Sequence, residues 1–277
     1  MVAGSLAGKV ALVTGAGSTR GMGRVMALAL AGAGARVAMM DVDGASLEQS
    51  SGDVREVGGD DAVLPIVGDI SDWDDAQRAV SSTIERLGGL HVLINHAGVN
   101  ARMAGLPEDA HPHFWELPTD VWARTVAVNV SGPFLMARAA VGHMVEQGWG
   151  RVIGVTTNLD TMIRGIPYGP TKAGHEALVA AMAPELEGTG VTVNVLLPGG
   201  GTNTNFNPSR NRDTSNSLQP EIMGPPAVWL VSDASGHVNG MRIIAMHWDE
   251  ALSPEQNLEK AGAPAAWPQL GRQATSG

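Results

Sequence analysis

The stretch Lys9-Val10-Ala11-Leu12-Val13-Thr14-Gly15-Ala16-Gly17-Ser18-Thr19-Arg20-Gly21-Met22-Gly23 decides the fold. A short apolar run, Val10 to Val13, enters a cluster of glycines, and a helical pattern near Gly23–Ala33 follows directly. A second run, Arg36–Asp41, then ends on a carboxylate. Strand, glycine turn, helix and strand in this order make a βαβ unit. A side chain in the turn would hold the backbone away from a pyrophosphate and obstruct the passage from strand to helix. The helix N-terminus then offers free N–H groups and a partial positive charge to the phosphates. A glycine cluster alone is weak evidence; its place between this strand and this helix gives the reading of a dinucleotide site.

The alternation continues outward. Runs near Ala62–Val67, His91–Asn95, Arg151–Val155, Val191–Leu196 and Met241–Ala245 complete a set of seven strands. Helical patterns near Ala45–Val57, Trp73–Leu87, Thr119–Gln147, Tyr168–Glu187 and Pro226–Val231 lie between them. This predicts an α/β fold, a Rossmann-type doubly wound parallel sheet of about seven strands with helices on both faces. The 277 residues are read as one domain, a length such a sheet absorbs in a single core. Two connections break the rhythm. Asn100 to Pro118 carries three prolines and two histidines, and Asn203 to Pro225 is polar and is read as a substrate lid. The lid residues Asn203, Asn205, Asn207, Arg210 and Arg212 hint at a polar or anionic substrate. The tail, residues 249–277, has little periodicity, and its last residues are expected to be disordered.

Composition removes several functions. With 18 basic against 28 acidic residues the net charge is −10, which argues against nucleic acid or an anionic membrane as a partner. The chain has no cysteine, so disulfides, thiolate catalysis and Cys-ligated zinc are excluded, and a cytoplasmic location is expected. Val10 to Val13 is too short for a signal-peptide core, and no segment reads as a membrane span. His111 and His113, near Glu108, Asp109 and Glu116, lack a recognised ligand spacing; they are assigned to the substrate mouth, and no metal is expected. The Met- and Trp-containing helices read as core packing.

Asp41 at the end of the second strand can accept hydrogen bonds from both adenosine ribose hydroxyls and would repel a 2′-phosphate. NAD is therefore expected over NADP. Arg20 dissents, because a cation just before Gly21 could contact a 2′-phosphate; an exposed arginine is also free to turn away.

Tyr168 and Lys172 stand four apart at the start of a predicted helix, so their side chains share a face. Pro170 between them is tolerable because the first helical turn has no N–H partner to lose. An ordinary tyrosine, with a pKa of roughly 10, is a poor proton exchanger near neutrality, and a nearby ammonium is expected to pull it down. Tyr168 is the only tyrosine in the chain.

Taken together, the glycine motif, Asn95-His96-Ala97-Gly98, Asn129, Tyr168-Gly-Pro-Thr-Lys172 and Pro198-Gly199 occur in the order of a known family. The chain resembles the short-chain dehydrogenase/reductase family from about Gly8 to Ala245. The resemblance implies an oxidoreductase that moves hydride between NAD(H) and the carbon of a secondary alcohol or ketone. Tyr168 would be the acid/base, Lys172 would activate it and bind the nicotinamide ribose, and Asn129 would hold a water in a proton relay. Gly15, Gly17, Arg20, Gly21, Met22, Gly23 and Asp41 would bind the cofactor together with the Tyr168–Lys172 pair. Asp69 and Ile70 would form its adenine pocket, Asn95, Ala97 and Gly98 would line it, and Pro198, Gly199 and Thr202 would border the nicotinamide. Relatives are commonly dimers or tetramers, so a homo-oligomer is implied.

Three departures qualify the likeness. The family's serine, commonly thirteen positions before the tyrosine, falls here on Val155, which has no donor. A shorter loop would put Thr157 in its place, with Thr156 the alternative. Five residues rather than the usual three separate Gly15 from Gly21. His96 stands where many relatives have asparagine and is given no role. Two other functions stay open: an NADPH-dependent 3-ketoacyl-type carbonyl reductase, and a nucleotide-binding regulatory protein without catalysis, which the missing serine motivates.

Overall fold

The computed structural model describes residues 4–206 and 216–268. The seven expected strands are present: β1 (Val10–Thr14), β2 (Arg36–Asp41), β3 (Val63–Val67), β4 (Val92–Asn95), β5 (Gly150–Val155), β6 (Val191–Leu197) and β7 (Met241–Ile244). An eighth, β8 (Gly262–Pro264), joins the same sheet in the order β3-β2-β1-β4-β5-β6-β7-β8. All pairings are parallel except β8 on β7. Strand order reverses at β1, with β2 on one side and β4 on the other. A crevice opens there at the carboxyl ends of the strands, the place where open α/β sheets bind ligands.

Side-chain alternation divides the core into two layers. Ala11, Val13, Ile153 and Leu196 face one side, with Met26 and Leu30 of α1 (Met22–Gly32), Leu47 of α2 (Gly44–Gly58) and Leu230 of α8 (Gly224–Leu230). Val10, Leu12, Val152 and Val195 face the other, with Ala76 of α3 (Trp73–Leu87), Met136 of α5 (Gly132–Glu146) and Val179 of α7 (Tyr168–Glu185), which follows the short α6 (Leu159–Met162). Helices cover both faces, which is why the central strands read as unbroken apolar runs. Among the described residues no helix is long and apolar enough to cross a membrane.

The helix expected over Thr119–Gln147 is interrupted. It runs as α4 (Thr119–Val126), a π-helical turn over Ala127–Ser131, and then α5. Pro133 has no N–H to give the carbonyl of Asn129 four residues earlier, so α register cannot continue there. The Gly132 N–H bonds instead to the Ala127 carbonyl, five residues back, the mark of a π turn.

The tail is more ordered than its composition suggests. It forms α9 (Pro254–Ala261), whose N-terminus is closed by Ser253 and Gln256 as a capping box, followed by β8. The last residues, 269–277, expected to be disordered, lie outside the described part. Both edge strands carry a proline, Pro65 in β3 and Pro264 in β8.

Candidate active site

Three loops meet at the switch point. Gly15 leaves β1 at φ 67°, the left-handed region, and a Cβ there would come within 2.6 Å of the Ala97 Cα. At Gly17 a Cβ would press on Asp41, 2.8 Å from its Cγ. The missing side chains leave a cradle at the N-terminus of α1, whose first turn holds no acidic residue. Gly21 and Gly23 are buried beside it, Met22 is half-buried, and Arg20 is exposed. The Ser18 hydroxyl is buried there with no hydrogen-bond partner among the described residues. A cradle of this kind, at a helix N-terminus and with an unspent buried hydroxyl, fits a pyrophosphate.

Asp41 closes β2 and anchors the loop. Its Oδ2 accepts the Gly17 N–H at 2.8 Å and its Oδ1 the Asp43 N–H at 3.1 Å. Asp69, after β3, is already well partnered. Its Oδ1 accepts from the Ser71 N–H and hydroxyl at 2.9 and 2.7 Å, and its Oδ2 pairs with Arg124 of α4 at 2.8 Å. Burial works against this charge, but the Ser71 and Arg124 bonds outweigh it and hold the carboxyl below its ordinary range. Ile70 is buried, packed against Gly132. Asp72 caps α3 through the Asp75 N–H.

The turn after β4 is locked to β1. The Thr14 hydroxyl donates to the Ile94 carbonyl at 3.3 Å and accepts the His96 and Ala97 N–H groups, each at 3.1 Å. His96 adds a clamp that the sequence did not suggest: its Nδ1 lies 3.3 Å from the Thr14 carbonyl and 3.1 Å from that of Gly15. Two carbonyls accept, so Nδ1 carries the proton. Burial, and then the Lys172 charge, push this imidazole down to about 4, which keeps it neutral. Asn95 is buried and donates to the Pro133 carbonyl at 3.1 Å, while its Oδ1 has no partner among the described residues.

Tyr168 opens α7 and Lys172 follows one turn later. Lys172 Nζ donates to the Val155 carbonyl at the end of β5 at 2.9 Å, and stands 5.9 Å from the centre of the Tyr168 ring. Gly98 faces both this ammonium and Asn129: a Cβ there would be 3.2 Å from Lys172 Nζ and 3.2 Å from Asn129 Oδ1. From the π turn, the Asn129 amide grips Val99 on both backbone groups. It accepts the Val99 N–H at 2.8 Å and donates to the Val99 carbonyl and the Thr171 hydroxyl, each at 2.9 Å. The Asn129 side chain therefore ties the β4 turn to α7.

The electrostatic expectation for this pair needs correction. Burial pushes the Tyr168 phenol above its ordinary value, and it also pushes the Lys172 ammonium down, to about 8. Desolvation of each charged form outweighs any help the ammonium gives the phenolate.

The two threonines after β5 separate cleanly. Thr156 is buried and its hydroxyl donates to Glu176 of α7 at 3.0 Å. Thr157 is half-buried, and among the described residues its hydroxyl makes no hydrogen bond. Past β6, the Pro198 carbonyl accepts the Met246 N–H at 3.1 Å, Gly199 turns at φ 98°, and Thr202 bridges to Leu218. This bridge forms the stem of the segment read as a lid. Phe206, further along it, lies over Tyr168 with ring centres 5.3 Å apart, held by an Asn100 side-chain bond to its carbonyl at 2.8 Å. Asn207, Arg210 and Arg212 lie outside the described residues. His111 sits 3.5 Å from Arg102, and His113 stacks on Trp115.

The structure thus gathers Tyr168, Lys172, Asn129, Thr157, Gly98 and Gly199 at the carboxyl ends of the central strands. Arg20 lies exposed on the glycine loop, and the Asp69 carboxylate is engaged by Arg124. His96 and Phe206 are the additions that sequence reasoning missed.

A family described as short chain dehydrogenase matches residues 9–215. The chain is 31% identical over 253 residues to an L-rhamnose 1-dehydrogenase (NAD(P)(+)) of Sphingomonas sp. strain SKA58, spanning 86% of this chain and 95% of that one. It is likewise 31% identical over 252 residues to a D-threitol dehydrogenase of Mycolicibacterium smegmatis, spanning 86% and 92%. Among solved structures, a short-chain type dehydrogenase/reductase from Mycobacterium marinum superposes with a TM-score of 0.75 at 29% identity, covering 86% of this chain and 94% of that one.

Proposed function

The chain belongs to the short-chain dehydrogenase family, and from that premise we propose that it oxidises a small polyhydroxylated alcohol, or reduces the matching ketone, with NAD(H) as partner and Tyr168 as acid/base. It is an oxidoreductase acting on CH–OH or C=O groups with a nicotinamide cofactor. The polyol class is carried over from the substrates in the names of its relatives and agrees with a polar lid. The observation that carries the reading is a half-buried tyrosine, with a lysine one turn on that faces Gly98, in the turn clamped to a glycine-lined cradle.

A bound nicotinamide would supply the hydride acceptor in oxidation and the hydride donor in reduction at the carbinol carbon. The chain's residues handle the proton and the oxygen. Tyr168 gives its phenolic proton to the carbonyl oxygen in reduction and takes the hydroxyl proton in oxidation. Thr157 holds that oxygen by a hydrogen bond; Thr156 is spent on Glu176 and leaves the task to its neighbour. Lys172, with a pKa of about 8, changes charge near neutrality and suits passing a proton onward from the phenol. Asn129 fixes the turn that Gly98 presents to the cofactor. Asp41 is assigned the adenosine ribose, which selects NAD over NADP. Assembly into dimers or tetramers belongs to the same reading and is checked by light scattering.

The Tyr168→Phe variant tests the assignment. It should bind NADH as the parent does and lose roughly 10²- to 10⁴-fold in kcat, the usual contribution of a positioned acid/base. Full turnover by this variant would refute the role.

A further inference from the structure

Two turns beyond Tyr168 on α7, the Glu176 side chain has 0% exposure. A carboxylate so placed requires partners, and it has three. Its Oε1 accepts from Arg242 Nε at 2.9 Å and from the Ala266 N–H at 3.3 Å, and its Oε2 accepts the Thr156 hydroxyl at 3.0 Å. Arg242, on β7 and 6% exposed, also reaches the Thr157 carbonyl through Nη2 at 3.4 Å. One buried ion pair therefore touches both threonines after β5.

Ala266 reaches the carboxylate at a cost. It lies at φ 57° and its neighbour Trp267 at φ 53°, the left-handed region that non-glycine residues avoid. Such strain persists only where the surroundings over-determine it. Net stability is a poor account of the ion pair, because desolvation of two charges offsets much of their attraction. Its geometric effect is specific. With the Thr156 side chain anchored inward and the Thr157 carbonyl held, the peptide that carries the Thr157 hydroxyl is fixed on both sides.

We propose that Glu176, gripped by Arg242 and the Ala266 N–H, is a positioning residue that sets the direction of the Thr157 hydroxyl and couples the C-terminal turn to turnover. The proposal rests on the reading of Thr157 as the group that binds the substrate oxygen. Glu176→Gln keeps the shape of the side chain and weakens its hold on Arg242. Ala266→Pro removes the N–H and, with φ fixed at about −65°, pulls the turn off the carboxylate, whereas Ala266→Gly keeps the N–H and adopts the left-handed backbone without strain.

Two measurements on the full-length protein test this. The first is the methyl NMR signal of Thr157, which needs no substrate. It should shift in Glu176→Gln and Ala266→Pro and stay in place in Ala266→Gly. The second is turnover with NAD and a polyol panel. Glu176→Gln and Ala266→Pro should lose roughly tenfold in kcat, as small misplacements at a reacting centre do, with the NADH dissociation constant unchanged. In a Thr157→Val background the Glu176→Gln change should cost nothing further, since the two act through one interaction. An unmoved methyl signal in both variants, or equal losses in the threonine and valine backgrounds, would overturn the proposal. A shifted methyl signal alongside a fully active Thr157→Val variant would uphold the link and refute instead the role given to Thr157. Should Glu176→Gln not fold, the two Ala266 variants decide the matter alone.

Discussion

The Asp41 carboxylate spends one lone pair on the Gly17 N–H and another on Asp43, yet stays half-exposed at the rim of the crevice. Replacement by alanine should loosen the glycine loop and remove the charge that opposes a 2′-phosphate. Asp41→Ala is therefore expected to narrow the proposed preference for NAD over NADP by roughly tenfold, about 1.4 kcal/mol, read by titrating both reduced cofactors. An unchanged ratio would transfer cofactor choice elsewhere, with Arg20 the first candidate. His96 makes a second prediction through its shift to about 4 from an ordinary 6.5. Between those values the unfolded chain binds the proton first, so stability present above pH 6.5 is lost as pH falls towards 4. The span corresponds to roughly 3 kcal/mol at most, and His175, also pushed down by burial, acts in the same direction. A His96→Asn variant should flatten the pH dependence of the urea midpoint across this window. Tyr168 and Lys172 are legible as a pair sharing one helix face, because the helix period brings i and i+4 together, while their role rests on the motif around them. His96 could not: a lone histidine in a turn looks like filler until the carbonyls of a distant glycine loop are brought to its ring.

Among the elements, the π turn repays closest attention because its cause is a single ring. Pro133→Ala would restore the N–H that α register lacks and let Ala127–Ser131 relax towards a regular helix. Asn129 would then turn away from Val99 and Thr171, and kcat should fall while NADH affinity changes little. Parent-like turnover with amide exchange showing a regularised helix would mean that the π turn is incidental. The sequence carried Pro133 openly in the middle of the helix expected over Thr119–Gln147, where proline breaks α register, but apolar periodicity on both sides masks the break. The order of the tail is hidden for the opposite reason. Ser253-Pro254-Glu255-Gln256 is a legible capping box, yet the helix after it is short, and Gly262-Ala263-Pro264 has none of the β-branched residues that announce a strand. β8 exists because β7 offers it an edge, which is a tertiary fact.

At the scale of the whole molecule, the order of alternating runs was enough to place the switch point, since parallel crossovers of one hand leave few topologies open. The cleft at the ends of β1, β4 and β5 follows from that order. What the alternation could not supply is closure: Phe206 over Tyr168 joins segments far apart in the chain, and Glu176 meets Ala266 across 90 residues. Contacts of that range leave no periodic trace. The two edge prolines complete the sheet as an object with ends. An edge strand normally exposes a row of donors and acceptors to any other chain that drifts past. Pro65 and Pro264 each delete a donor from such a row, and β8 is only three residues long. Concentrated protein should therefore resist seeding into fibrils, and Pro65→Val should shorten the lag before thioflavin-positive material forms on prolonged incubation.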